Sequence, residues 1–321
     1  MPGSDQKINY QYRPAKAIER KMLCDLIREI QLIRADGEMR YIGLGAKYFT
    51  DFLLLHNEFG ITDMISIEAQ KERQVRYDFN KPLKCIQMWY GTTNEILPQI
   101  SGFDQKMNLI WLDFDDAFGE SMLYDLQTIC RNINIGSMFF ISCNHSYRGE
   151  KQSEKRESFR ESTGIFFDEN IKNGDYTNKK MPYVIKKIID DQIRRIIDLR
   201  NRTEKGTTVE YMQLLFLTYQ DGAPMMTIGG ILVDDELKNK INESKIVDKY
   251  TFISDGENVF SIDIPCLTNK EIQLILKNLP ISKEEFQEHE EDFYGIEYEE
   301  ICKFEKIYRY YPYYSEGVFT T

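Results

Sequence analysis

The sequence predicts a doubly wound α/β protein: a mostly parallel seven-stranded sheet whose last strand is antiparallel, with an N-terminal helix and a small helical C-terminal appendage. Three observations lead there. Short apolar, β-branched runs alternate with helically spaced segments five times between residues 40 and 144, the rhythm of a parallel sheet with crossover helices. The first run ends in two glycines two apart, in "RYIGLGAKYFTDF" at 40–52. The alternation closes on "VEYMQLLFLTYQDGAPMMTIGGILV", two strands joined at Asp221-Gly222, a hairpin signal.

Each element has a local reason. In "PAKAIERKMLCDLIREIQLIRA" (14–35), Ile18, Met22, Leu26, Ile30 and Ile33 recur at helical spacing, and Pro14 suits a first turn. "ADGEM" turns the chain into the first strand, "RYIGL". The helix in "YFTDFLLLHNEFG" stops at Gly60, a natural end-of-helix residue. "DMISIEA", "LKCIQMWYG", "MNLIWLDFD" and "GSMFFISCN" are the next strands, separated by the helices "QKERQVRYDFN", "TTNEILPQI" and "ESMLYDLQTICRNIN". Their apolar cores fit a sheet covered on both faces. "YRGEKQSEKRESFRES" is a polar, highly charged stretch, an irregular segment follows to about residue 180, and then a helix at 182–202 on an isoleucine stripe. Beyond residue 233, "LTNKEIQLILKNLP" opens with Thr268 and Glu271 as a capping box. The expected organisation is therefore an N-terminal helical segment (1–39), a sheet domain (40–233) and an acidic, tyrosine-rich, mainly helical region (234–321). The tyrosines there read as packing groups, or as an interface for a protein partner.

Composition narrows the class. The chain has 321 residues, 42% hydrophobic and 29% charged, a globular balance. No apolar run approaches the roughly 18 residues of a membrane span, and the polar start lacks a signal-peptide core. A soluble, cytoplasmic protein is expected. Six scattered cysteines without a C-x-x-C pair and only three histidines argue against zinc, a disulfide framework and histidine-centred hydrolysis. The net charge of −11 argues against a nonspecific nucleic-acid coat. Locally, residues 179–205 carry nine Lys/Arg against four carboxylates, and 283–306 carry ten carboxylates against three lysines. Each is either a solvated helix face or, for the basic segment, a rim for an anionic partner.

The order and spacing of residues 40–233 resemble a class I S-adenosylmethionine (SAM)-dependent methyltransferase. The resemblance implies a Rossmann-like fold and SAM as cofactor. Gly43 and Gly45 match the family's glycine turn, where the backbone passes close under the cofactor. Tyr41 replaces the usual acidic residue and Lys47 the third glycine; the dinucleotide pattern is also broken, by Tyr48. Glu68, 25 residues after Gly43, is similar to the acidic residue that accepts from the ribose hydroxyls. Gly91 and Thr92 resemble the border of the adenine. Asp113 matches the acidic residue at the end of the fourth strand, and Asp113 or Asp115 is the implied base where the acceptor is protonated. Arg13 and Lys16 would hold the cofactor carboxylate or an anionic substrate, or else face solvent. Arg194 and Arg195 would attract a phosphate-bearing acceptor. Asp113 and Asn144 also resemble part of a catechol-type magnesium site, but Cys143 interrupts the oxygen set, so no metal is expected. A methyltransferase fold kept as a non-catalytic scaffold is the alternative; a nicotinamide oxidoreductase fits the missing third glycine and the closing hairpin least.

Overall fold

The computed structural model describes residues 13–34, 38–203, 206–254 and 256–312. Glu204 and Lys205 of the basic segment, the first twelve residues, and Tyr313 and Tyr314 of the tyrosine-rich end lie outside the described residues. Helix α1 (Pro14–Arg34) leads into β1 (Met39–Gly43), α2 (Thr50–Phe59), β2 (Asp63–Glu68), α3 (Gln74–Asn80), β3 (Ile86–Tyr90) and α4 (Thr93–Ile96). There follow β4 (Met107–Ala117), α5 (Glu120–Asn132), β5 (Met138–Asn144), α6 (Gln152–Thr163) and α7 (Met181–Thr203). The hairpin is β6 (Glu210–Gln220) and β7 (Pro224–Val233). Then come α8 (Asp235–Ser244), α9 (Ile246–Lys249), β8 (Phe260–Ile262), α10 (Asn269–Asn278), α11 (Lys283–Glu288) and α12 (Tyr298–Ile307).

The sheet runs β3-β2-β1-β4-β5-β7-β6-β8. Strands β1 to β5 are mutually parallel, β7 runs against both β5 and β6, and β8 pairs parallel with β6. The sequence led to seven strands; the sheet has eight. The added β8 is three residues long, too short to show a period, and it is held by its register against Leu217–Tyr219.

Strand alternation divides the interior into two cores. Tyr41, Met64, Leu109, Trp111 and Phe140 face α1 and α2, whereas Ile42, Ile65, Ile110, Leu112 and Phe139 face α5 and α7. Among the described residues no helix is long and apolar enough to cross a membrane. The polar, highly charged stretch contains α6. Its helical period is hard to see because only Phe159 and Thr163 are buried. Phe159 anchors it, meeting Tyr147, Phe167 and Tyr176 at 4.8, 6.0 and 5.8 Å between ring centres, and Ser162 donates to the Phe118 carbonyl at 2.8 Å.

The C-terminal helices α10–α12 build a small core of their own around Ile275, Phe286, Phe293 and Phe304. The chain also reaches back to α1. Tyr310 donates its hydroxyl to Asp25 at 2.9 Å, Tyr250 donates to Glu29 at 2.9 Å, and Lys249 pairs with Glu29. The outer half of α1 is thereby braced, which fixes where its first half meets the sheet.

Candidate functional site

A cavity of about 630 Å³ opens at the carboxyl ends of β1, β2, β3 and β4, where open α/β sheets place their ligands. Its first wall is the turn after β1. Ala46 (φ 45°) and Phe49 (φ 49°) are both left-handed, a conformation that costs a non-glycine residue energy and clusters at functional sites. The turn holds because Phe49 is fully buried and its N–H donates to the Gly45 carbonyl at 2.9 Å. A Cβ at Gly45 would lie 2.6 Å from the Phe49 ring, and one at Gly43 would lie 2.3 Å from the Tyr41 hydroxyl. Side chains of the protein itself therefore already require both glycines.

Glu68 ends β2 and ties the second wall to the first. Its Oε1 accepts from the backbone N–H of Ala46 at 2.5 Å and from the Ser66 hydroxyl at 3.3 Å, and the residue is buried. Gly91 donates its N–H to the Glu68 carbonyl, and Thr92 caps α4 in a capping box with Glu95. Thr93 and Asn94, the next two lining residues, both donate to the buried Asp125 of α5, Asn94 at 2.5 Å. Burial pushes the Asp125 carboxyl up to about 6, against the pull of those two donors.

The floor is the end of β4. Its pairing with β5 slips between Asp113 and Ala117, a bulge that turns the aspartates toward the cavity. Behind them packs the first half of α1. Arg13, Lys16 and Arg20 fall on one face and meet carboxylates: Arg13 approaches Asp221 at 3.8 Å and Asp115 at 3.9 Å, Lys16 binds Asp113 and Glu19, each at 2.6 Å, and Arg20 binds Asp51 at 2.5 Å. Asp221, at the hairpin turn, accepts the N–H groups of Ala15 and Lys16 at 3.0 and 2.9 Å and so caps the start of the helix. The lining includes Asp51, Glu68, Asp113, Asp115 and Asp116 against Arg20. The cavity is acidic.

Residues 8–319 match a protein family described as "Putative O-methyltransferase". The chain belongs to this family. No curated protein matches the sequence. Among solved structures it is similar to one described as "a putative O-methyltransferase from Klebsiella pneumoniae" (13% identity over 66% of this chain and 79% of that one, TM-score 0.36). It is also similar to cofactor-bound Rv0187 from MTB (14% identity, 71% and 82%, TM-score 0.35). A third is the O-methyltransferase TomG from Streptomyces achromogenes in complex with SAM (12% identity, 66% and 79%, TM-score 0.35).

In this family member the cavity brings together Gly45, Glu68, Gly91, Thr92, Asp113 and Asp115. Gly43 lies just outside, over the Tyr41 ring. Lys16 is fully buried beneath the site, and Arg13 is buried beside Asp115 and Asp221. Arg194 and Arg195 are elsewhere, both exposed on α7. Six residues beyond Arg194, Arg200 donates to the Cys130 and Ile133 carbonyls just before β5 begins, which is the amino edge of the sheet. The basic segment, expected as a solvated face or a rim for an anionic partner, thus runs toward the edge opposite the cavity. Asn144 accepts from the N–H and hydroxyl of Ser146, both at 2.8 Å, and Cys143 is buried with its thiol pushed up by burial. Among the described residues no group of three metal-type ligands converges.

Sequence reasoning passed over Arg20, Asp51, Thr93, Asn94 and Asp125. For Arg20 a signal existed: it follows Arg13 and Lys16 at steps of three and four, the spacing of one helix face. Asp51 and Asp125 sit in ordinary helical segments and carried none.

Proposed function

We propose that the protein is a SAM-dependent O-methyltransferase whose cofactor occupies the acidic cavity. The observation that carries this reading is Glu68: a buried carboxylate at the end of β2, fastened to the glycine turn and lining the cavity. A carboxylate so held can accept from both hydroxyls of a ribose. The volume suits a small-molecule ligand, and the acidic lining suits a cation. When bound, SAM supplies a methyl group already activated on a sulfonium. Gly91, Thr92, Thr93 and Asn94 would border the base, with Asp125 fixing the last two. Arg20, paired to Asp51 beside the turn, would face the cofactor carboxylate.

The protein's remaining task is to align an acceptor and take its proton. Asp113 or Asp115 is the base in this reading: both line the cavity, Asp113 held by Lys16 at 2.6 Å and Asp115 approached by Arg13 at 3.9 Å. The lining carboxylates favour a hydroxyl acceptor without phosphate, and Arg194 and Arg195, exposed on α7, do not line the cavity.

Calorimetry with SAM, S-adenosylhomocysteine and NAD tests the proposal. SAM and S-adenosylhomocysteine should bind and NAD should not. Glu68→Ala should weaken SAM by about 1–3 kcal/mol, the range for unpairing a buried hydrogen-bonding group. Unchanged SAM affinity in a folded variant would take Glu68 out of the site.

A further inference from the structure

The buried chemistry beneath the cavity forms one connected chain. Trp111 donates its indole N–H to Ser142 at 2.9 Å, and Ser142 shares a hydrogen bond with Thr227 at 2.7 Å. Thr227 donates to Glu19. The Lys16 ammonium lies 2.6 Å from both Glu19 and Asp113, 3.1 Å from the Tyr219 hydroxyl and 4.4 Å above the Trp111 ring. Lys16 and Glu19 are fully buried, whereas Asp113 is the one member that also lines the cavity. An ammonium so placed cannot reach a ligand. It acts through Asp113.

We infer that Lys16 is a positioning residue for the methyl-donor site, clamping Asp113 from behind and cancelling its charge, so that the sulfonium end of the cavity is lined by an oriented but compensated carboxylate. The inference rests on the cofactor reading above. Charge balance supports it. One buried ammonium faces two carboxylates, and burial pushes the more enclosed one, Glu19, above its ordinary range toward its neutral form despite the pull of Lys16. Lys16 itself is held above its ordinary value: burial opposes its charge, but Asp113 and then Glu19 outweigh that. At the cavity face the Lys16 ammonium stands directly behind Asp113, at 2.6 Å, and offsets its charge. Lys16 and Glu19 reach these strand residues from outside the sheet, on a helix that the hairpin caps through Asp221.

SAM and S-adenosylhomocysteine differ by one methyl and one positive charge at the sulfur, so the ratio of their affinities reads the charge beneath it. Calorimetry on the full chain would compare wild type, Lys16→Met and the double variant Lys16→Met/Asp113→Asn, with melting curves to confirm folding. Removing the ammonium leaves Asp113 uncompensated, and the ratio should shift toward SAM by about tenfold or more. The double variant removes one charge of each sign and so restores the wild-type balance, and the shift should vanish. Should Lys16→Met not fold, Glu19→Gln/Asp113→Asn isolates the ammonium instead and should move the ratio toward S-adenosylhomocysteine. A ratio unmoved in folded variants overturns the inference and leaves Lys16 a structural residue. Wild type that binds neither compound overturns the cofactor reading, and this inference with it.

Discussion

Helices α1 and α7 look alike in sequence and behave oppositely in the fold. Both are long, 21 and 23 residues, with an apolar stripe and several basic residues. On α7 the stripe packs against α5 and β6, and the arginines read as a rim for an anion stay outside: the Arg194 side chain is 70% exposed and leans on Asp191 at 3.5 Å. On α1 Lys16 and Arg20 turn inward with the apolar residues, as does Arg13 just before it, and the Lys16 side chain is 0% exposed. The difference lies in what each helix meets. The second core offers α7 an almost wholly apolar surface, and the buried Lys186 finds its partner one turn further along the same helix, in Asp190; a charge without such a partner would be costly there. The carboxyl edge of the sheet offers α1 a row of carboxylates, and a buried cation is tolerated where it is paired. A basic residue's role is thus set by the surface opposite it.

The comparison breaks most visibly at Lys16. Lys16→Met leaves Asp113 and Glu19 without their ammonium, and stability in urea should fall by about 3–5 kcal/mol, the cost of breaking a buried pair. A loss below about 1 kcal/mol would mean that the α1 charges are held no more firmly than surface ones.

A carboxylate held by neutral donors should differ from those held by α1, and Asp125 is that case. Its folded-state value of about 6 exceeds the ordinary 3.8, so between those pH values the folded protein keeps a proton that the unfolded chain has released. Stability from this group is therefore lost as pH rises from about 4 through about 6, by about 3 kcal/mol. Asp125→Asn should flatten that slope. Wild-type and variant stability curves that stay parallel across this range would contradict the assignment.

The smallest effect belongs to α7. Reversing Arg194 and Arg195 to Glu should change stability by less than about 1 kcal/mol and leave SAM affinity as it was. A large loss of either would show that the outer face of α7 is not merely solvated.

Much of the frame was legible because its signals are local. The strands of the parallel sheet showed as apolar runs, the hairpin as Asp221-Gly222, and the end of α2 as Gly60, which adopts φ 65°. Glu68 and Asp113 could be picked out because a ligand site in such a sheet falls at strand ends. Other features were hidden for identifiable reasons. α6 buries too little to show a period, and β8 exists only through its pairing with β6. Asp125 is a polar residue on an ordinary helix until α4 packs against it.

By itself the sequence determined the kinds of element, their order and the turn after β1, since a helix period, a strand alternation or a glycine turn is set by residues a few positions apart. Only the tertiary structure decided which charges lie inside. Lys16 meets Asp113 across 97 residues and is capped by Asp221 across 205. No short-range pattern records such pairings. They form because burial makes an unpaired charge costly, and the folded sheet brings Asp113 and Asp221 to its carboxyl edge, within reach of the first turns of α1.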